Sequence, residues 1–332
     1  MAEVVVITGA SAGVGRATAV AFARRGAAVA LLARGRAGLD AARRDVEEAG
    51  GRALVVPTDV ADAAQVEAAA ERVERELGPI DVWVNAAMTA ILAEVRDTSP
   101  DEYRRVVEVT FLGSVHGMMA ALPRMQSRDR GTIVQVGSAL ARRGIPLQAS
   151  YCGAKHGIQG FVESLRAELL HQDSAVKISM VQLPGVNTPQ FGWVRTRGLS
   201  KHPRPVAPVY QPEVAADAIL WAADHPRREL WVGLPTYYTI IGNWFAPGFQ
   251  DWFLARKNYA GQQSDRDLGR DRQDYLFEAV DQDEDRGAHG IFGDEAKHRS
   301  TALWATMHRR SVAAGAVAGL AAGVAALRSL RP

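Results

Sequence analysis

Short β-branched runs alternate with alanine-rich, amphipathic stretches from residue 3 to about residue 233. The runs are EVVVIT (3–8), AVALLA (28–33), ALVVPT (53–58), IDVWVN (80–85), GTIVQVGS (131–138), VKISMVQ (176–182) and RELWVG (228–233). Helical patterns fill the gaps: to about Gly26, to about Gly50, over DAAQVEAAAERVEREL, and near 100–126, 150–172 and 212–223. Uninterrupted apolar strands are buried on both faces, and helices of crossover length join parallel neighbours. The pattern therefore predicts an α/β domain over 1–235, a parallel sheet covered on both sides.

After Gly233 the alternation stops. Residues 236–261 are rich in aromatic side chains, and 262–300 read as a polar linker, with SDRDLGRDRQD and DQDEDRG as its most charged runs. Such a stretch is expected to be solvated or disordered. The final part, 301–332, carries SVAAGAVAGLAAGVAAL from Ser311 to Leu327, with arginines at 309, 310, 328 and 331. About 17 residues of helix measure about 25 Å, short of a hydrocarbon core of about 30 Å. Alanine and glycine also add little hydrophobic drive. The flanking arginines and the small face of Gly315, Gly319 and Gly323 favour a membrane helix instead. The sequence leaves both readings open: a C-terminal anchor on the cytoplasmic side, or a packed apolar helix.

Composition narrows the functional classes. Lys+Arg total 39 against 37 Asp+Glu, a net charge of +2, which is no electrostatic footprint for nucleic acid. The single cysteine, Cys152, excludes an internal disulfide and suits a reducing compartment. The start, MAEVVVITGA, enters a strand without the profile of a signal peptide, so a cytoplasmic enzyme is expected. No histidine pair stands at metal-ligand spacing beside a carboxylate, and no catalytic metal is expected.

Three local motifs carry chemistry. The first strand runs into TGASAGVGR, with Gly9, Ser11, Gly13, Val14, Gly15 and Arg16. Glycines there permit a tight turn and close backbone approach to a pyrophosphate, which the following helix attracts with its free amides and dipole. The second strand ends in LLARGR rather than in an acid, which puts Arg34 where a ribose 2′ substituent is read. Guanidinium groups suit a 2′-phosphate, so NADP(H) is expected in preference to NAD(H). Third, Ser138 ends a strand, and Tyr151 and Lys155 lie four apart on one helix face. A neighbouring ammonium lowers a phenol's pKa and fits Tyr151 for proton transfer, while Ser138 polarises a carbonyl.

In TGASAGVG, Asp59-Val60, Asn85-Ala86-Ala87-Met88, Ser138, YCGAK and PGVNT (184–188), the sequence resembles the classical short-chain dehydrogenase/reductase family. The resemblance covers roughly residues 3–233. It implies a Rossmann-like, doubly wound parallel sheet, here a single domain with a C-terminal extension ending in an apolar helix. It also implies hydride exchange between NAD(P)(H) and an alcohol or carbonyl. By position, Asp59, with Val60 beside it, would contact the adenine, and Asn85 would steady the central sheet. Lys155 would hold the nicotinamide ribose and Thr188 would approach the carboxamide. Three departures stand out. Met88 replaces a customary glycine, PGVNT is one residue short, and Thr110 stands where the family usually has an asparagine of the proton relay. The expected partners are a small carbonyl or alcohol, lipophilic if the aromatic stretch lines the site, and further copies of the chain. A non-catalytic NADP(H)-binding sensor or scaffold is the alternative.

Overall fold

The apolar runs become seven parallel strands: β1 (Val4–Thr8), β2 (Ala28–Ala33), β3 (Arg52–Pro57), β4 (Val82–Asn85), β5 (Thr132–Ser138), β6 (Lys177–Leu183) and β7 (Glu229–Trp231). In this computed structural model, which describes residues 2–269, 272–309 and Val312, their order is β3-β2-β1-β4-β5-β6-β7. The chain winds outward from β1 in one direction, then returns to β4 and winds in the other. That reversal opens a crevice at the carboxyl ends of β1 and β4, the place where such sheets bind ligands.

Alternation along each strand sorts the core into two layers. Val5, Ile7, Leu31 and Val84 face one side, packing with Phe22, Leu39 and Ile219 of α1 (Gly13–Ala23), α2 (Arg36–Glu48) and α6 (Pro212–Asp224). Val4, Val6, Leu32 and Trp83 face the other. They meet Val66, Met118 and Ile158 of α3 (Ala63–Glu76), α4 (Pro100–Gln126) and α5 (Ala149–His171). Among the described residues α4 alone is long and apolar enough to cross a membrane, yet half of its most apolar window is buried inside the molecule. It is a core helix of the sheet's face. A π-helical stretch, Val107–Leu112, interrupts it and carries Thr110.

The aromatic extension forms two helices, α7 (Gly233–Phe245) and α8 (Pro247–Gly261). Several of their large side chains stay exposed, Phe245 at 83% and Phe249 at 63% among them.

Residues 262–300, expected to be a solvated linker, are instead built into the fold. Gln263–Asp267 pairs antiparallel with Lys201–Pro203. Beyond it, 272–293 crosses the carboxyl ends of the strands as a strap. Polar composition misleads here because the charges find partners inside the molecule: Asp274 pairs with Arg195, Asp285 with Arg16, and Lys201 with Asp267. A few apolar side chains of the segment, Leu276 and Phe292, are buried as well.

Glu102 pins one end of the strap. It caps α4 reciprocally with Ser99, is 2% exposed, and accepts from both Arg195 and Arg197. Arg195 also holds Asp274. Burial raises the Glu102 carboxyl, but bonds from Arg197, the Ser99 amide and Arg195 outweigh it and bring the pKa down to about 2. The tie is therefore at full strength above the usual carboxylate range and weakens only as pH falls towards 2. The apolar segment Ser311–Leu327 lies outside the described residues, apart from Val312.

Candidate active site

At the carboxyl end of β1 the chain must turn back beneath its own helix. Gly9 has φ +69°, and a side chain on it would strike the Ala86–Ala87 backbone. A Cβ on Gly15 would collide with the Gly9 carbonyl. These contacts leave a concave run of backbone at the start of α1, the cradle an anion needs. Thr8 Oγ1 closes the far side by accepting from the amides of Ala86 and Ala87 at 3.1 and 3.2 Å.

Thr188 packs against Gly13, and its Oγ1 is buried with no hydrogen-bond partner among the described residues. A buried hydroxyl left unsatisfied at the lip of such a cradle fits a bound polar ligand. The shortened PGVNT loop sets Thr188 beside Gly13.

A cavity of about 1030 Å³ runs from this cradle to the catalytic residues. Gly9, Ser11, Gly13, Val14 and Gly15 line its inner end, with Arg34, Asp59, Val60 and Thr188 beside them. Ser138, Tyr151 and Lys155 line the other end. The remaining site residues expected from sequence do not reach the wall. Asn85 lies inside the sheet, accepting from Trp83 Nε1 at 2.8 Å and donating to the Ser114 carbonyl at 3.1 Å.

Arg16 is 6% exposed and holds Asp45 and Asp285. Thr110 is fully buried, and its hydroxyl accepts from Thr89 N and donates to Thr89 O, both at 2.9 Å. Through that hydroxyl Thr110 braces the Thr89 loop, with one acceptor lone pair left unused.

Ser138, Tyr151 and Lys155 line one cavity. Ser138 Oγ accepts from Leu140 N at 3.1 Å. Lys155 Nζ donates to the Val136 carbonyl at 2.9 Å and lies 5.6 Å from the centroid of the Tyr151 ring. The expectation that Lys155 depresses the Tyr151 pKa needs correction in this state. Burial pushes the phenol upward, and a hydrogen bond with Ser138 only partly offsets that. Burial also pushes Lys155 down to about 8. Burial favours the neutral form of each group.

The strap supplies site residues that sequence reasoning did not find. Tyr275 is 9% exposed, packs at 6.2 Å from Trp193, and accepts from Ala90 N at 3.0 Å. Its hydroxyl also lies 3.7 Å from Met88 Sδ, so Met88 is turned into this cluster. Arg34 donates to the carbonyls of Phe277 and Tyr275 at 2.7 and 2.6 Å and of Glu278 at 3.3 Å. Asp59 pairs with Arg105 at 2.5 Å, and Arg105 in turn donates to the Leu276 carbonyl. No periodicity marks these positions; an isolated tyrosine in a charged run was the one available signal.

A family model described as short chain dehydrogenase matches residues 3–197. The chain is 30% identical over 329 residues to the "Uncharacterized oxidoreductase YxnA" of Bacillus subtilis (strain 168), spanning 98% of this chain and 91% of that one. It is 38% identical over 170 residues to the human "Dehydrogenase/reductase SDR family member 7", half of each chain. It is 30% identical over 192 residues to the "3-dehydrosphinganine reductase" of Danio rerio, spanning 56% of this chain and 57% of that one. A crystal structure of levodione reductase matches with a TM-score of 0.54 and 31% identity, over 56% of this chain and 73% of that one. Fold, glycine cradle, catalytic trio and these matches agree: the chain belongs to the classical short-chain dehydrogenase/reductase family, oxidoreductases that interconvert carbonyls and alcohols with NAD(P)(H).

Proposed function

We propose that the protein is an NADP(H)-dependent reductase of a lipophilic carbonyl compound. The observation that carries this reading is one cavity joining the glycine cradle to Ser138, Tyr151 and Lys155. The dinucleotide, when bound, supplies or takes the hydride. The protein's own residues do the rest. Gly13, Gly15 and Thr188 seat the phosphates and the carboxamide end, and Lys155 holds the ribose. Ser138 Oγ accepts from Leu140 N, and its hydroxyl proton would turn to the substrate carbonyl. Tyr151, kept neutral by burial, is a proton donor, which suits reduction.

Phe249, Phe253, Tyr238 and Leu254 of α7 and α8 line the outer cavity, a wall suited to an apolar substrate. The similarity to a protein named 3-dehydrosphinganine reductase points the same way. NADPH oxidation is the test, measured against ketones and aldehydes of increasing chain length. Turnover should rise with chain length. NADPH binding with no turnover on any of them would favour the sensor or scaffold reading.

Arg34 is the residue we assign to the 2′-phosphate. Arg34→Asp should weaken NADPH binding by about tenfold to a hundredfold, the worth of one charge-assisted contact, and should tighten NADH. A wild type that already prefers NADH in a fluorescence titration would overturn the assignment. The same reading puts the enzyme at a membrane surface through 311–327, supported by an uncharged segment between arginines and by exposed aromatics at the cavity mouth. Full-length protein should sediment with membranes, and a chain ended after Arg310 should not. Equal recovery of both in the high-salt soluble fraction rejects the anchor.

A further inference from the structure

α2 begins without a cap of its own. Its N-cap is Gly35, with no side-chain bond to the helix and no acid in the first turn, so its leading amides need partners from elsewhere. The strap provides them. Ala37 N donates to the Gln282 carbonyl and Gly38 N to the Asp281 carbonyl, both at 3.1 Å, and Arg36 N reaches Gln282 Oε1 at 3.4 Å. The Asp281 side chain, 8% exposed, folds into the notch between Gly35, Gly38 and Ser11. A Cβ on either glycine would collide with its carboxylate. Farther along, Gly13 N donates to the Gly287 carbonyl at 3.2 Å.

This notch lies just past β2, between the start of α2 and Arg34, which is where such folds read the ribose 2′ substituent. We propose that Asp281 is a cofactor-specificity residue delivered from the C-terminal strap: docked, it admits a 2′-hydroxyl and excludes a 2′-phosphate. This inference rests on the dinucleotide reading above and deepens it. A carboxylate accepts from a hydroxyl but repels a phosphate held at the same place. The donors a phosphate would use, Arg34 and the α2 amides, are bonded to strap carbonyls. Phosphate oxygens are stronger acceptors for a guanidinium than neutral carbonyls. A 2′-phosphate therefore takes over those donors and displaces Asp281, and the protein's affinity for NADP(H) is reduced by whatever fraction of molecules keeps the strap docked. Arg16, paired with Asp45 and with the strap's own Asp285, is a further tie that holds the strap in place.

Adenosine 2′,5′-bisphosphate and adenosine 5′-monophosphate separate the two substituents without any turnover. Both are titrated calorimetrically into the full chain, as wild type, Asp281→Asn and Asp281→Ala. We expect the bisphosphate to bind about tenfold more tightly to both variants, with the monophosphate changed less than about twofold. Unchanged bisphosphate affinity, or an equal shift for both ligands, overturns the specificity role. A second measurement needs no variant. The bisphosphate should speed tryptic cleavage after Arg286 in wild type, and the monophosphate should not; equal cleavage rates overturn the displacement. If wild type binds neither NADPH nor NADH, the dinucleotide reading itself fails. If it binds them and the variants leave the ratio unchanged, only the strap assignment fails.

Discussion

Tyr151→Phe should lower carbonyl reduction by about a thousandfold while NADPH still binds, since a positioned proton donor is worth about 10² to 10⁴ in rate. Tyr151 lines the same cavity as Ser138 and shares its helix face with Lys155. The substitution removes one hydroxyl and keeps the ring that packs against the cluster of Ala90, Leu92, Val194 and Tyr275, so the fold should be undisturbed. Two readouts are needed: steady-state NADPH oxidation and the quench or transfer of protein fluorescence on NADPH binding. Near wild-type turnover in the variant would remove Tyr151 from the chemistry. Loss of binding along with turnover would make it a packing residue.

Gly15→Ala should have the second-largest effect, and on the other end of the cavity. The added methyl meets the Gly9 carbonyl, a backbone atom that moves only if the β1–α1 turn moves. Forcing such a shift costs about 1–3 kcal/mol. If the strain falls on the cradle, dinucleotide binding weakens by about tenfold to a hundredfold. Gly160→Ala on α5 is the matched control, because nothing lies within 4 Å of its added Cβ. Removing a helical glycine there should leave binding alone and raise stability by up to about 1 kcal/mol. Equal cofactor affinity in Gly15→Ala and wild type would mean that the turn is not the phosphate cradle.

The sheet and the candidate trio Ser138, Tyr151 and Lys155 were legible because their signals are local. Seven apolar runs separated by helix-length gaps admit few topologies, and Tyr151, Lys155 and the glycine turn each sit within one short segment. Thr188 lies beside Gly13 despite its shortened loop. The strap was illegible for the opposite reason. Its hold on α2 uses backbone carbonyls, which any sequence can supply, and its charges pair with residues far away in the chain, Asp274 with Arg195 at 79 positions and Asp285 with Arg16 at 269. Hydropathy and charge density measure what a segment wants from water, and they carry no record of distant partners. The pKa expectation for Tyr151 failed similarly. Four-residue spacing establishes a shared face, while the burial that lifts the phenol depends on the pocket around it.

The strap also imposes an order of events on synthesis. Arg34 leaves the ribosome early, and its acceptors Tyr275 and Phe277 follow more than 240 residues later. All seven strands are complete by Trp231. A nascent chain therefore has a finished glycine cradle, open to nucleotide, well before the segment that covers it exists. If the sheet closes before the strap emerges, each new molecule would meet its first dinucleotide at a cradle that the strap does not yet cover.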